Sequence, residues 1–203
     1  MKPNLNPSLS EEKKFELLNL HYEDTNRTIR EVIKTRDRFL FYIFIILGLM
    51  TFQIFDPILS KNLISQYLSN ALELQIPAGV SFISTLAWSA LLIFSLRYFQ
   101  AVINLENLYD YVQSLENLLS KPFNQKVFIR EGINYLKNYP IFLTWSHIFY
   151  RFFLPLLLIV AVVIKIVSEC KAAINPLQFF NITLASVILI SIVLYMIRIH
   201  FKK

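Results

Sequence analysis

Two patterns of apolar positions alternate along this chain. Over residues 8–37 one stripe, Phe15, Leu18, Tyr22, Thr25, Ile29, Val32 and Arg36, advances by alternating steps of three and four. Such steps keep one face of an α-helix against a partner helix. Ser8 and Glu11 stand at capping-box spacing and predict the helix start. No glycine or proline interrupts Glu11 to Leu47, so this amphipathic helix is predicted to continue without a break into the apolar run Phe39–Phe55. Asp56-Pro57 should end it, because proline has no amide for the hydrogen-bond ladder and disfavours helix in the residue before it.

The same alternation recurs further on. Residues 58–76, with Lys61 and Glu73, read as a connector with a short interfacial helix, closed by Pro77 and Gly79. A second apolar run, Val80–Phe99, passes beyond Arg97 into a new stripe of Ala101, Leu105, Leu108, Val112, Leu115 and Leu119, which stops short of Pro122. This stripe is the natural partner of the first. The candidate cytoplasmic interface is therefore Phe15, Leu18, Tyr22, Ile29, Leu105, Leu108, Val112 and Leu115. Spacing leaves open whether the two rods pair within one chain or with copies in neighbouring subunits. Residues 123–140 are polar and aromatic and end at Pro140. In the long run 141–167, Trp145, His147, Tyr150 and Arg151 read as interfacial, and the third span is Phe152–Val167 with Pro155 in its first turn, where any kink should be mild. A short loop with Glu169, Lys171 and Pro176 leads to the last span, Leu177–Ile197, and the basic tail Arg198-Ile-His-Phe-Lys-Lys.

Length decides what these runs are for. Stretches nearly free of charge reach the ~18 residues needed to cross about 30 Å of hydrocarbon. Composition agrees, with 55% hydrophobic residues, 15% aromatic and only three glycines. The expected fold is all-α: a polytopic membrane protein with four transmembrane helices and cytoplasmic helical extensions. Its divisions are an amphipathic helix (1–38), spans one and two with their connector (39–100), a cytoplasmic helical region (101–140), and the interfacial segment, spans three and four and tail (141–203). The start is polar for over thirty residues, so no cleavable signal peptide is expected and the first span serves as insertion signal. A lone cysteine, Cys170, excludes an intrachain disulfide and a cysteine-type zinc site.

Charge sets the expected orientation. The net charge is +6, and all of the 20 Lys and Arg residues except Lys61, Lys165 and Lys171 fall on or beside the face that carries both termini. The positive-inside rule then makes both termini cytoplasmic, in a bacterial inner (plasma) membrane. Membrane lipids, including the anionic lipids of the inner leaflet, are expected partners of this basic face. Arg27, Arg30, Lys34, Arg36 and Arg38 are interspersed with acids, which argues against direct nucleic-acid binding.

Catalytic chemistry is hard to find. There is no paired-histidine metal motif, glycine-rich phosphate loop or nucleophile beside a base, so no catalytic residue, cofactor or metal is expected. His21, His147 and His200 are far apart in sequence. His147 shares a helix face with Arg151, and with Arg130 and Glu131 these form a candidate interfacial polar cluster, read first as anchoring. Asp56, Arg97 and Lys165 lie near span ends, where long side chains snorkel to water. Ser81, Thr85 and Ser89, at steps of four, and Asn181 form a candidate face for close helix packing or for a pore between subunits; packing is the simpler reading.

The segment Phe128-Ile-Arg-Glu-Gly-Ile-Asn-Tyr-Leu-Lys-Asn-Tyr-Pro-Ile-Phe-Leu-Thr-Trp145 through Tyr150, followed by Phe-Leu-Pro155, resembles a pattern in small prokaryotic four-span membrane proteins. The plan of four spans with helical extensions is similar to that of membrane components of bacterial antiphage systems, such as the Kiwa membrane subunit or type VI CRISPR accessory membrane proteins. This resemblance implies a sensor or effector that assembles in the inner membrane with a cytoplasmic partner protein. The expected function is thus a non-enzymatic, homo-oligomeric sensor, effector or scaffold that couples the helical region to the membrane. A pore between subunits is the alternative; an interfacial lipid-modifying enzyme built on Arg130, Glu131, His147 and Arg151 comes third.

Overall fold

The computed structural model describes residues 10–72, 80–121, 145, 149–171 and 176–200. Its elements are α1 (Glu11–Phe55), α2 (Pro57–Leu72), α3 (Val80–Ser120), a π-helical turn (Phe149–Phe153), α4 (Leu154–Cys170) and α5 (Pro176–His200). No strand occurs among the described residues. The protein is all-α, and four of its helices are long and apolar enough to cross a membrane: α1, α3, α4 with the π turn before it, and α5. It is a multi-pass membrane protein.

Local chemistry explains where the helices begin and end. Ser10 caps α1, its Oγ accepting from the Lys13 amide at 3.4 Å. The cap expected at Ser8 falls outside the described residues, and the start is set by Ser10 instead. α1 then runs for 45 residues, through both the amphipathic stripe and the first apolar run. Asp56 breaks it as expected and also starts the next helix: its carboxylate accepts the Leu59 amide at 2.9 Å, with Pro57 as the first residue of α2. Asp56→Ala should cost about 1 kcal/mol of stability, the usual worth of such a cap, and thermal unfolding in detergent would register it as a lowered midpoint. Pro155 has no amide to give the Arg151 carbonyl and its ring crowds that carbonyl. The wider π turn over Phe149–Phe153 accommodates this at the helix entrance, and Pro155 sits in the first turn of α4.

The chain divides into two compact units: Met1–Thr35 with Ala101–Thr144, and Arg36–Gln100 with Trp145–Lys203. In the first, the polar ends of α1 and α3 pack on one another through Ile29, Leu105 and Val112, with Tyr22, Val32, Ile33, Leu108 and Tyr109 against them. Leu115 is buried as well, while Phe15 and Leu18 are half-buried. The two amphipathic stripes therefore pair within a single chain. Polar contacts flank this core: His21 Nε2 lies 2.7 Å from the Tyr111 hydroxyl, and the Tyr22 hydroxyl donates to Glu116 at 3.3 Å.

In the second unit the spanning segments bury narrow stripes. On α5 these are Gln178, Asn181, Ala185, Ile188, Ile192, Tyr195 and Ile199, alternating in steps of three and four. That period gives left-handed packing of neighbouring helices. The outward faces are apolar too, with Leu156, Ile190 and Leu194 more than half exposed. A helix that is apolar all round has lipid rather than water on its outer side. Aromatic contacts tie α1 to α3, through Tyr42 and Phe94 at 5.2 Å, and α3 to α5, through Phe99 and Tyr195 stacked at 4.4 Å.

Candidate functional site

Charge and amide groups that sequence scatters over 129 positions, from Gln53 to Asn181, meet at one end of the spanning unit. The topology dictates which end: α1 and α4 finish there, while α3 and α5 begin there. Gln53 continues the inward stripe of α1 after Leu47 and Met50; Lys165 and Glu169 continue that of α4 after Leu158 and Val162. Gln178 and Asn181 open the stripe of α5, and Ser84, Thr85 and Trp88 that of α3.

Glu169 is the hub. Its carboxylate accepts a short hydrogen bond from Ser84 Oγ, bonds from Trp88 Nε1 at 3.2 and 3.3 Å, and one from Asn181 Nδ2 at 3.1 Å. Lys165 Nζ stands 3.4 Å from it on the same helix face and donates to Gln53 Oε1 at 2.9 Å. The Glu169 carbonyl accepts from Gln178 Nε2 at 2.8 Å, which ties the end of α4 to the start of α5. Asn181 carries the network onward, its Oδ1 accepting from Thr85 Oγ1 at 2.7 Å. The ion pair is formally neutral, and its polar atoms are met by neighbours from the other three spanning helices. Either charge alone in hydrocarbon would cost several kcal/mol, roughly, so the pair and its amide shell are interdependent.

Sequence reasoning misplaced the two central residues. Lys165 does not snorkel: its side chain is 6% exposed and turned into the bundle. Glu169 belongs not to a loop but to the last turn of α4, which continues to Cys170. Gln53, Ser84, Trp88 and Gln178 were not singled out at all. The signal available was that Lys165 and Glu169 are four apart on an otherwise apolar heptad stripe, where a paired charge points inward.

Of the proposed packing or pore face, Thr85 and Asn181 bond to each other inside the bundle, and Ser89 Oγ donates to the Thr85 carbonyl at 2.9 Å. Ser81 lies in α3. From the interfacial polar cluster, Arg130, Glu131 and His147 fall outside the described residues. Arg151 is described; its guanidinium donates at 2.6 Å to the Ile199 carbonyl and so caps the last turn of α5, where cations are favoured. Beside it Arg36 lies over the Tyr150 ring, 5.8 Å from the centroid. Among the described residues no group of His, Cys, Asp and Glu is arranged to hold a metal ion.

Fold and site together define the class, a four-span α-helical membrane protein whose bundle is closed at one end by a buried ion pair. No family model matches the chain, and neither does any curated protein or solved structure.

Proposed function

We propose that this protein is a non-enzymatic coupling element of a bacterial inner membrane, an oligomeric sensor, effector or scaffold whose helix pair is cytoplasmic and engages a partner protein, in a setting such as antiphage defence. One observation carries the reading: α1 and α3, of 45 and 41 residues, each contribute without a break to the helix pair and to the spanning unit. An uninterrupted helix passes rotation or translation along its length, whereas a glycine or proline hinge would absorb it. The network around Glu169 supports the same reading, because it ties all four spanning helices together at the end of the spanning unit where α4 stops and α5 begins. The basic bias of the terminal face supports cytoplasmic termini.

Cross-linking in membranes followed by native mass spectrometry in detergent tests this reading. Oligomers, with a cytoplasmic protein recovered on the helix pair, are expected; a strict monomer without a partner would contradict it. A conduit between subunits is less well supported, since Thr85 and Asn181 are engaged inside the bundle with each other and with Glu169. Planar-bilayer recordings should accordingly show no conductance.

A further inference from the structure

Hydroxyl groups in the spanning helices find their hydrogen bonds in one of two ways. At the Glu169 network, Ser84 donates to the Glu169 carboxylate and Thr85 to Asn181, each across to another helix. Elsewhere a serine turns back on its own helix, as Ser89 does to the Thr85 carbonyl, Ser186 to the Ile182 carbonyl and Ser191 to the Val187 carbonyl. Ser95 does neither. It is completely buried, and its Oγ has no hydrogen-bond partner among the described residues. Tyr98, one turn further along the same inward stripe of α3, is also completely buried, and its hydroxyl is in the same condition.

Dry, these two groups would weigh heavily against folding. A buried hydroxyl without a partner shifts the unfolding equilibrium by roughly 5- to 150-fold, and here two stand on one face of one helix. The Leu91 carbonyl, one turn before Ser95, offers the same local acceptor that the other serines use. Ser95 leaves it for the interior, where a ligand must supply the bond.

The surroundings decide what that ligand is. Arg36, Asp37 and Tyr150 are the ionisable neighbours of the Tyr98 hydroxyl, and Arg36 is paired with Asp37 at 2.7 Å. The setting is therefore formally neutral and selects neither an anion nor a cation. A hydroxyl both donates and accepts, and so does water, whereas an ion would use only one of the two roles. The ion pair also marks an entrance, because the Asp37 side chain is 55% exposed and that of Arg36 24%. On the inner side Leu91, between Ser95 and Trp88 on the stripe, is completely buried and apolar.

We propose that water binds inside the spanning unit at Ser95 and Tyr98, entering past the Arg36–Asp37 pair and stopping at Leu91. Buried waters typically make about three hydrogen bonds to groups that would otherwise lack partners, and each takes up only ~30 Å³. Ser95, shorter than its stripe neighbours Leu91 and Tyr98, is the position that admits a ligand of this size. The site is a closed crevice, separated from the Glu169 network by the Leu91 layer.

Radiolytic hydroxyl-radical footprinting of the full-length protein in lipid nanodiscs tests this on the wild type, since radicals born from a bound water oxidise the side chains it touches. Tyr98 should be oxidised although it is completely buried, and Leu91, equally buried, should be spared once intrinsic reactivities are divided out. Ser95→Ala should lower the oxidation of Tyr98 roughly fivefold, the weakening expected when a bound water loses one hydrogen bond. An unmodified Tyr98 in the wild type overturns the proposal, as does a Leu91 oxidised at the same corrected rate. Tyr98→Phe gives a second readout whose sign separates a wet hydroxyl from a dry one. With water bound, the unfolding constant in denaturing detergent should rise roughly fivefold. A constant that falls or stays the same means that the hydroxyl was dry, and overturns the proposal as well.

Discussion

Glu169→Ala is expected to destabilise the spanning unit by about 3 kcal/mol, the lower end of the cost of removing one partner from a buried ion pair, because the Glu169 side chain keeps 18% of its exposure. The substitution strands Lys165 in the bundle and deprives Ser84, Trp88 and Asn181 of their common acceptor. Glu169→Gln, which keeps an acceptor oxygen but loses the charge, should fall between the wild type and Glu169→Ala. The double variant Lys165→Met/Glu169→Ala should recover more than half of the loss, because an aliphatic pair has no stranded charge. Unfolding with increasing denaturing detergent, followed by helicity, measures these four proteins and the Lys165→Met single variant that completes the cycle. Additive single effects in this cycle would mean that the two side chains do not act as a pair.

Leu105→Ala has the second large expected effect, and on a different part of the molecule. Leu105 is 7% exposed in the small core it forms with Ile29 and Val112. Truncation there removes apolar contact and leaves a cavity, about 2–5 kcal/mol in typical cores. Hydrogen exchange should accelerate over residues 15–33 and 101–119 by roughly thirtyfold or more, since each 1.4 kcal/mol is a factor of ten in an opening equilibrium. Exchange in α4 and α5 should stay as in the wild type. Unchanged exchange in the helix pair would mean that this contact does not hold it together.

The contrast between these two sites explains what the sequence made legible. The helix pair was readable because its signal is local: a three-and-four alternation repeated from Phe15 to Arg36 in α1 and again from Ala101 to Leu119 in α3, with no glycine or proline to break either. The spans were readable for a similar reason, each being a continuous apolar run of fixed minimum length. Even the break at Asp56-Pro57 follows from adjacent residues. By contrast, the polar network joins Ser84 to Glu169 and Gln53 to Lys165, pairs 85 and 112 residues apart. No local pattern ranks Gln53 above any other glutamine; only the packing of four helices gives it a lysine to accept from. Lys165 was misread because a lysine near a span end has two low-cost solutions, snorkelling to water or pairing inside, and the choice depends on whether a neighbouring helix offers an acceptor.

Four crossings put the end of α4 and the end of α5 on opposite faces of the bilayer, and the orientation proposed above puts the end of α5 on the cytoplasmic side. The protein carries its own probe, for Cys170 is its single cysteine and is exposed beside the network, at the end of α4. A membrane-impermeant maleimide applied to intact spheroplasts should label Cys170, whereas a Cys170→Ser, Lys203→Cys variant should react only after permeabilisation. Labelling of both proteins from the same face would contradict the four-span account.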